Sequence, residues 1–194
     1  NFEIINLELK RSGAVLAMTR SNSSITSINS TSFLDWPGKP KSQRVPFTTI
    51  ATEYDYAKTM GIEMLFGRDF SREFATDTAA IIINKAALDL MGLEDPIGTQ
   101  LDLWGQKRTL IGVIDNVLMG SPYEAVQPLF MIIDINWGGP ATIRLTKAED
   151  LQASLSKVQA VFEQYNPAYP FDYSFVDEAF QRKFTTIDLT KKNW

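Results

Sequence analysis

Carboxylates are the residues of this 194-residue chain best suited to chemistry, because the chain contains no histidine and no cysteine. Without histidine, a Ser-His-Asp triad, a histidine-bearing zinc site and a histidine-ligated haem are excluded. Without cysteine, a disulfide framework, thiol catalysis and cysteine-ligated metals are excluded as well. Carboxylate chemistry, a lysine or tyrosine base and an oxygen-ligated metal stay open.

The carboxylates cluster at three places in the sequence, which are Asp69, Glu73 and Asp77; Glu94 and Asp95; and Asp177 and Glu178. Paired carboxylates serve glycosidases, and calcium loops use several of them. However, the DxDxDG pattern of a calcium loop is missing, and Asp69 and Asp95 lie in predicted turns, where aspartate bonds the local backbone. Asp177 or Glu178 at a predicted helix start is explained by the helix dipole. We therefore interpret these carboxylates as structural and predict no catalytic residue and no metal-ligating residue.

Phosphate and nucleic-acid binding are disfavoured by the sequence. Neither GxGxxG nor GxxxxGK[ST] occurs, which predicts that this chain binds no ATP, no dinucleotide and no other cofactor. The net charge is −4 and the isoelectric point is about 4.9. Without a basic stripe to neutralise phosphates, nucleic acid is not expected as a partner.

Trp36, Trp104 and Trp137 lie in or beside predicted turns. An exposed indole there would mark a contact surface, because tryptophan is enriched at the cores of protein interfaces. Alternatively, each indole covers an end or an edge of a sheet. The sequence leaves both interpretations open.

Residues 21–32 form a polar, low-complexity stretch that predicts a surface loop. It carries two N-glycosylation patterns, Asn22-Ser23-Ser24 and Asn29-Ser30-Thr31. Because a loop rich in serine and asparagine produces such matches by chance, we interpret both as fortuitous.

Helical and strand patterns are mixed along the chain, which predicts an α+β fold. The predicted helices are residues 1–10, 54–60, 85–91, a helix opened by a Thr146–Glu149 capping box, and 177–187. The predicted strands are residues 14–20, 43–53, 62–66, 79–84, 99–104, 107–115, 128–134, 141–146 and 171–176. Strand, helix and strand from Ala141 to Val176 would form a βαβ-like unit.

Turn-forming residues are frequent in the middle of the chain, from residue 60 to residue 101. Gly61 and Gly92 are predicted to end helices, and Asn84 to cap one. Pro96 and Gly98 predict a turn in which the glycine has a positive φ. A hairpin turn is predicted at Gly105-Gln106. A segment with so many corners and no reactive group is typical of a rigid mechanical or docking module.

No apolar run approaches the roughly 20 residues of a membrane helix, so the chain is expected to be soluble and to be a piece of something larger.

Several segments together resemble the extracytoplasmic core domain of bacterial ABC transporter permeases of the MacB/FtsX type. They are YDYAKTMGIEMLFGRDFS, TDTAAIIINKAALDLMG, DPIGTQLDL and RTLIGVIDNV, followed by PLFMIID, ATIRLT and PFDYSFVDEAFQRKF. They occur in the family's order and spacing, over roughly residues 1 to 190.

The resemblance implies a non-catalytic ectodomain on the periplasmic side of the bacterial inner membrane. It would be held between two membrane helices of a permease that lie outside this chain, with a cytoplasmic ABC ATPase as a partner. ATP-driven closure in the cytoplasm would shift the ectodomain, which would act on a substrate, a periplasmic partner or a second ectodomain in transport or efflux.

The resemblance also implies two lobes with mixed sheets and βαβ-like units. A porter-like lobe would be built from residues 1–67 and 126–194, and residues 68–125 would form an inserted, smaller lobe. The first and last helices would lie side by side, with the inserted lobe at the opposite end and a frayed C-terminal tail.

Two other functions stay open from the sequence. One is a small-ligand or peptide-binding module with its site in a cleft between lobes, which would show as a deep apolar cleft with convergent polar groups. The other is a carboxylate-based hydrolase, which would need two carboxylates facing each other at about 5 to 10 Å.

Overall fold

The computed structural model describes residues 2–24, 29–117, 125–147 and 150–176. The chain forms two compact units: the larger runs from Met18 to Ile143, and the smaller combines the residues up to Ala17 with those from Arg144 onward. The fold is mixed α+β, as the sequence predicts.

Four α-helices, one 3₁₀ helix and nine strands lie in the described residues. The helices are α1 (Phe2–Arg11), α2 (Tyr56–Met60), α3 (Lys85–Met91) and α4 (Leu151–Tyr165), with the 3₁₀ helix at Ala75–Ala79. The strands are β1 (Val15–Arg20), β2 (Thr31–Phe33), β3 (Pro46–Thr52), β4 (Met64–Gly67), β5 (Ala80–Asn84), β6 (Gln100–Leu103), β7 (Gln106–Ile114), β8 (Leu129–Ile133) and β9 (Ala141–Leu145).

Seven strands of the larger unit form one curled sheet in the order β2-β3-β8-β5-β7, with β4 and β6 both paired to β7. The β3–β8 and β5–β7 pairs are parallel, and the other pairs are antiparallel. Just after β2, the main chain of Asp35 exchanges two hydrogen bonds of 3.0 and 2.8 Å with Asp102 of β6. These bonds join the two ends of the sheet, so it closes into a small barrel with few free edges.

The barrel interior is filled by apolar side chains that alternate along the strands. They are Leu34, Trp36, Phe47, Ala51, Ile81, Ile83, Leu101, Leu103, Leu110, Val113, Phe130 and Ile132, together with Ala87 and Met91 of α3. One irregularity breaks the alternation: the β5–β7 register shifts between Ile81 and Ile82, so that Leu110 and Val113, three residues apart, share the interior. A bulge of this kind inserts one unpaired residue into the strand.

A second cluster lies on the outer face of the same strands. Ile50, Ala80, Ile82, Ile114, Leu129 and Met131 pack there with Tyr56 and Ala57 of α2 and with Phe70. Because alternate residues of β5 enter the two clusters, all five of its residues are buried. This confirms the prediction of a strand buried on both faces.

Several local predictions are confirmed in the larger unit. The Asn84 side chain accepts a 3.0 Å hydrogen bond from the Ala87 amide and caps α3. Gly61 and Gly92 end α2 and α3 with φ of 69° and 65°. Gly98 has φ of 90°, as the predicted corner requires.

Three local predictions are wrong. The hairpin turn is Trp104-Gly105, because Leu103 pairs with Gln106. The capping box at Thr146–Glu149 is replaced by Asp150, whose carboxylate accepts hydrogen bonds from the first turn of α4, while the Thr146 hydroxyl donates to Gly13 O. Residues 171–176 form no ladder with any described strand, so the βαβ-like unit lacks its last strand. Alternating apolar and polar residues predict an extended backbone, but a β-strand also requires a neighbouring strand to which it can hydrogen-bond.

In the smaller unit, α1 packs against α4. Ile5, Leu9 and Val158 are buried, and the Lys157 ammonium donates to Ser12 O. The strands β1 and β9, which run across the boundary between the units, pair with each other. The predicted last helix at 177–187 and the C-terminal tail lie outside the described residues, and so does the predicted placement of that helix beside α1.

The predicted lobe boundaries at residues 68 and 125 stay a prediction. Residues 68–125 supply β5, β6 and β7 to the curled sheet, while β2, β3, β4 and β8 come from outside that range.

Candidate functional site

The structure separates the three tryptophans that the sequence singled out. Trp36 is 7% exposed and packs edge-on against Phe47, with ring centroids 5.9 Å apart, so it is a core residue. Trp104 and Trp137 instead stack on each other at the surface, with centroids 6.1 Å apart and planes at 28°. They are 54% and 41% exposed, and they form an indole pair available to a partner.

Trp104 occupies an unusual backbone position for its residue type. In the two-residue β6–β7 turn, Trp104 and Gly105 have φ of 56° and 78°. A turn with positive φ at both positions normally takes asparagine, aspartate or glycine. A bulky residue in the left-handed region costs about 1–2 kcal/mol. The indole is therefore held at the hairpin tip against a backbone preference.

Trp137 is placed by the loop between β8 and β9. Gly138 and Gly139 of this loop have φ of 63° and 129°. A Cβ at Gly139 would lie 2.0 Å from the carbonyl oxygen of Ser21, so only glycine permits this close approach. The Ser21 amide also donates to Pro140 O. Trp137 thus projects from a loop anchored on both sides, which holds the two indoles together.

The charges of this surface region are paired within the molecule. Arg20 donates to Glu53 at 2.7 Å and to Ile135 O at 3.2 Å. Lys107 lies 3.2 Å from Asp102 on the strands that carry the hairpin. An apolar centre with a rim of satisfied charges is the usual anatomy of a protein contact surface.

Arg108 lies on β7 two residues before Leu110, on the strand face that lines the barrel. It donates to Thr78 O at 3.1 Å, and its buried Nε has no hydrogen-bond partner among the described residues. Burial lowers the pKa of Arg108, and the charge of Asp134 partly offsets this. We interpret Arg108 as part of the barrel end.

Asp77 has a structural role. Its fully buried carboxylate accepts two hydrogen bonds of 2.7 Å from the Arg68 guanidinium and one of 2.9 Å from the Ser71 amide. Burial raises the pKa of Asp77, but the hydrogen bonds and the charge of Arg68 outweigh it and hold that pKa below its usual value. Arg68 also lies over the Phe74 ring, 3.9 Å from its centroid. Together these contacts tie the segment after β4 to the 3₁₀ helix.

Asp69 caps α2 from outside the helix. Its carboxylate accepts hydrogen bonds from the amides of Ala57 at 3.0 Å and Phe70 at 2.8 Å. Burial raises the pKa of Asp69, and these bonds act in the opposite direction. Asp69 therefore satisfies the Ala57 amide at the start of α2, where the N-cap residue Asp55 makes no side-chain capping bond.

The remaining candidate carboxylates are either exposed or outside the described residues. Glu73, Glu94 and Asp95 are exposed, and Asp177 and Glu178 lie outside the described residues. In the part of the chain that the structure describes, no group of three or more carboxylates could hold a metal ion. The absence of catalytic residues stays a prediction from the sequence.

Asn22 shows how a glycosylation pattern can serve structure. Its side-chain amide donates to Thr49 O at 3.2 Å and accepts from the Ala51 amide at 3.1 Å, so it completes the edge of β3. The Asn29 side chain donates to Asn22 O at 3.3 Å. Both side-chain amide nitrogens donate hydrogen bonds within the protein, and the interpretation of the two glycosylation patterns as fortuitous stays a prediction.

Comparisons with solved structures identify the fold. The chain is similar to the periplasmic region of MacB from Actinobacillus actinomycetemcomitans, with a TM-score of 0.62 and 14% identity over 99% of this chain and 83% of that one. It is similar to the extracellular domain of the noncanonic ABC-type transporter YknZ from Gram-positive bacteria, with a TM-score of 0.56 and 14% identity over 85% and 83% of the two chains. A third similar structure is a domain of a protein described as a permease from Porphyromonas gingivalis, with a TM-score of 0.51 and 17% identity over 78% and 70%.

The chain thus has the fold of the extracytoplasmic domains of ABC-type transporters, and the fold that the sequence resemblance implied is confirmed. No protein-family model and no curated protein matches the sequence. Among the described residues, no helix combines the length and apolar character needed to cross a bilayer.

Sequence reasoning found both tryptophans but not their pairing. The hairpin signal was readable, since glycine at position 105 is typical of a two-residue turn. The stacking was not, because Trp104 and Trp137 are separated by 33 residues and meet only through the closed sheet.

Proposed function

We propose that this chain is the periplasmic ectodomain of an ABC transporter permease in the bacterial inner membrane. In this proposal the domain performs no catalysis. It passes ATP-driven conformational change to a substrate or a periplasmic partner. The observation that carries this proposal is the likeness to the periplasmic region of MacB over 99% of the chain. A cytoplasmic ABC ATPase would supply the energy. The permease would provide membrane helices on both sides of the domain.

The close packing of the larger unit supports a role in transmitting motion. Its sheet closes on itself, its interior is filled, and a bidentate ion pair from Arg68 to the buried Asp77 carboxylate braces the segment after β4. Close-packed interiors deform little and therefore move as rigid bodies. A rigid body passes on a displacement instead of absorbing it.

The indole pair Trp104–Trp137 is the contact surface that we assign to the partner. Two half-exposed indoles present a large apolar area at low conformational cost, and tryptophan is enriched at binding hot spots. Because the neighbouring charges are already paired, the partner would be selected by apolar contact more than by charge.

The location is tested with a single introduced cysteine, since the chain contains none. In the full-length protein in intact cells, Lys41→Cys, at an exposed position, should react with a membrane-impermeant maleimide. Ile83→Cys, at a buried position, is the matched unreactive control. Labelling of Lys41→Cys that requires cell lysis would exclude a periplasmic location.

The transmission of motion is tested in the same full-length transporter. The maleimide labelling rate of Gln106→Cys, at an exposed position beside the indole pair, should change by about twofold or more between the nucleotide-free state and the state trapped with magnesium-ATP and vanadate, since a local contact is gained or lost. An ATPase variant unable to bind nucleotide is the control. Equal rates in the two states would contradict coupling at this surface.

The contact role is tested by transport activity. Trp104→Asn and Trp137→Ser should each lower activity about tenfold, as expected when a hot-spot residue is removed. Phe33→Ser, which changes a side chain that is 55% exposed on β2, is the matched control and should leave activity unchanged. Full activity in both tryptophan variants would leave the indole pair without a functional role.

A further inference from the structure

Asp102 of β6 makes contacts with two different parts of the larger unit. Its main chain exchanges hydrogen bonds of 3.0 and 2.8 Å with Asp35, where the sheet closes. Its carboxylate reaches toward the hairpin tip: Oδ1 accepts a 2.9 Å hydrogen bond from the Gly105 amide, and Oδ2 lies 3.2 Å from the Lys107 ammonium. One residue therefore connects the closure of the sheet with the turn that carries Trp104.

The bond from Gly105 encloses the turn residue with the least favourable backbone. Trp104 lies between the two bonded residues and has φ of 56°. Aspartate stabilises turns in this way, because its side chain accepts hydrogen bonds from main-chain amides a few residues further on. The bond keeps the turn closed around Trp104 and so opposes the tendency of a bulky residue to leave the left-handed region.

Asp102 is itself fixed through its partner at the closure of the sheet. The Lys39 ammonium donates to Asp35 Oδ1 at 2.7 Å and to Leu34 O at 2.8 Å. It also lies 4.9 Å from the centroid of the Trp36 ring, which belongs to the core. The backbone of Asp102 is thus bonded to a segment anchored in the barrel interior, so its carboxylate is a firm support for the turn.

We propose that Asp102 is a positioning residue whose carboxylate holds Trp104 in the conformation that stacks on Trp137. Because the indole pair is then formed before its partner arrives, the partner does not bear the cost of ordering it. The positioning stands on the contacts of Asp102, whereas its consequence for transport rests on the proposed function.

A different role for Asp102 would be the ion pair with Lys107 alone. These two residues lie opposite each other on β6 and β7, where opposite charges stabilise a sheet. That role requires the charge of Asp102, whereas positioning requires only an acceptor oxygen. Asparagine at position 102 separates the two roles, because it keeps the oxygen and removes the charge.

Circular dichroism of the purified chain tests the positioning. Stacked indoles couple their electronic transitions and give a paired positive and negative band, which Trp137→Phe removes and so identifies. Asp102→Ala should lower the amplitude of this band by about half or more, because Trp104 is then free to leave the left-handed region. Asp102→Asn should keep the band. Each spectrum is recorded under conditions in which urea titration shows the variant to be folded.

Asp35→Ala is the matched control, since it removes an aspartate side chain at the same closure and leaves the Gly105 bond in place. It should keep the band. If Asp102→Ala does not fold, Asp102→Val takes its place, because valine also lacks the acceptor and is favoured in strands.

Three outcomes overturn the proposal. A full band in Asp102→Ala or Asp102→Val shows that the turn holds Trp104 without the carboxylate. Loss of the band in Asp102→Asn shows that an acceptor oxygen is not sufficient. An equal loss in Asp35→Ala shows that the band follows the closure of the sheet in general.

Transport by the full-length protein tests the consequence. Asp102→Ala should lower transport as Trp104→Asn does, and the double variant should lose no more than Trp104→Asn alone, because Asp102 acts through that indole. Asp102→Asn should keep transport. Full transport in Asp102→Ala beside a loss in Trp104→Asn would overturn the positioning role. If the band falls as expected but no variant alters transport, the positioning is upheld and the proposed contact function fails.

Discussion

The larger and smaller units differ in how completely they bury their apolar side chains. The closed sheet fills its interior with fully buried residues and covers its outer face with α2 and Phe70. The smaller unit leaves a large share of its apolar side chains exposed, among them Ile4, Leu7, Leu16, Leu151, Tyr169, Tyr173 and Val176. The described residues of this unit form two helices and part of a strand pair, which is close to the lower limit for a stable layered structure. The difference teaches that the larger unit supplies its own core and presents a local contact surface at Trp104 and Trp137, whereas the described part of the smaller unit buries only a few apolar side chains.

The largest effect is expected where β4 pairs with β7, at Gly67 and Gly112, which lie opposite each other in the larger unit. A Cβ at Gly67 would lie 2.1 Å from Ile111 O, and Gly67 has φ of 66°; a Cβ at Gly112 would lie 2.3 Å from Arg68 O. Gly67→Ala combines crowding and strain, so its unfolding free energy should fall by about 3 kcal/mol or more. Gly112→Ala introduces crowding alone and should cost about 2 kcal/mol. Chemical denaturation measures both, and wild-type stability in either variant would show that the barrel wall yields more readily than close packing allows.

A smaller loss is expected from Asp77→Asn. This change leaves Arg68 without its counter-charge and should lower the unfolding free energy by about 2 kcal/mol near neutral pH. Because the pKa of Asp77 is held below the usual value of about 3.9, its contribution is complete above that pH. It is lost as the pH falls through the lower native value.

The control for this pH dependence is Asp95→Asn, at an exposed turn position. Urea titrations between neutral and acidic pH should show stability falling less steeply below about pH 4 in Asp77→Asn than in wild type or in the control. Parallel curves for all three proteins would mean that the ion pair does not contribute through the charge of Asp77.

The corner at Gly98 isolates backbone strain from crowding. Its φ is 90°, and a Cβ built there meets nothing within 4 Å. Gly98→Val should lower the unfolding free energy by more than about 1 kcal/mol, because a β-branched residue tolerates positive φ poorly. Thermal unfolding checks this prediction, and an unchanged melting temperature would show that the corner relaxes at no cost.

The smallest effect is expected in the smaller unit. Leu7 is 50% exposed on α1, so Leu7→Gln should change the unfolding free energy of the isolated chain by less than about 0.5 kcal/mol. Leu9→Ala, at a fully buried position of the same helix, should cost about 2–5 kcal/mol. Similar losses in the two variants would show that the exposed stripe is already covered in the isolated chain, and the contrast between the two units would fail.

The sequence correctly predicted the features that depend on short-range interactions. Asn84 caps α3 and the glycines at 61, 92 and 98 adopt left-handed φ because each property depends on a few neighbouring residues. The burial of β5 on both faces followed from its unbroken apolar run. The α+β class followed from the order of these elements.

The sequence misled where a choice between neighbours depended on geometry. The cap of α4 moved from Thr146 to Asp150, since Thr146 found a partner at Gly13. The hairpin turn placed Trp104 in the left-handed region, which its residue type disfavours. In both places the position of the cap or the turn was set by a tertiary contact or by the strand register, and neither can be read from the local sequence motif.

By itself, the amino-acid sequence determined the class of fold, the corners and helix caps set by short-range sterics, and the exclusion of histidine and cysteine chemistry. Only the tertiary structure decided that the sheet closes through Asp35 and Asp102, that Arg68 pairs with the buried Asp77 carboxylate, and that Trp104 meets Trp137. The physical reason is that side chains and backbone at distant positions come together only when sheet order, register and bulges are fixed. Those features depend on packing of the whole chain, which local patterns do not encode.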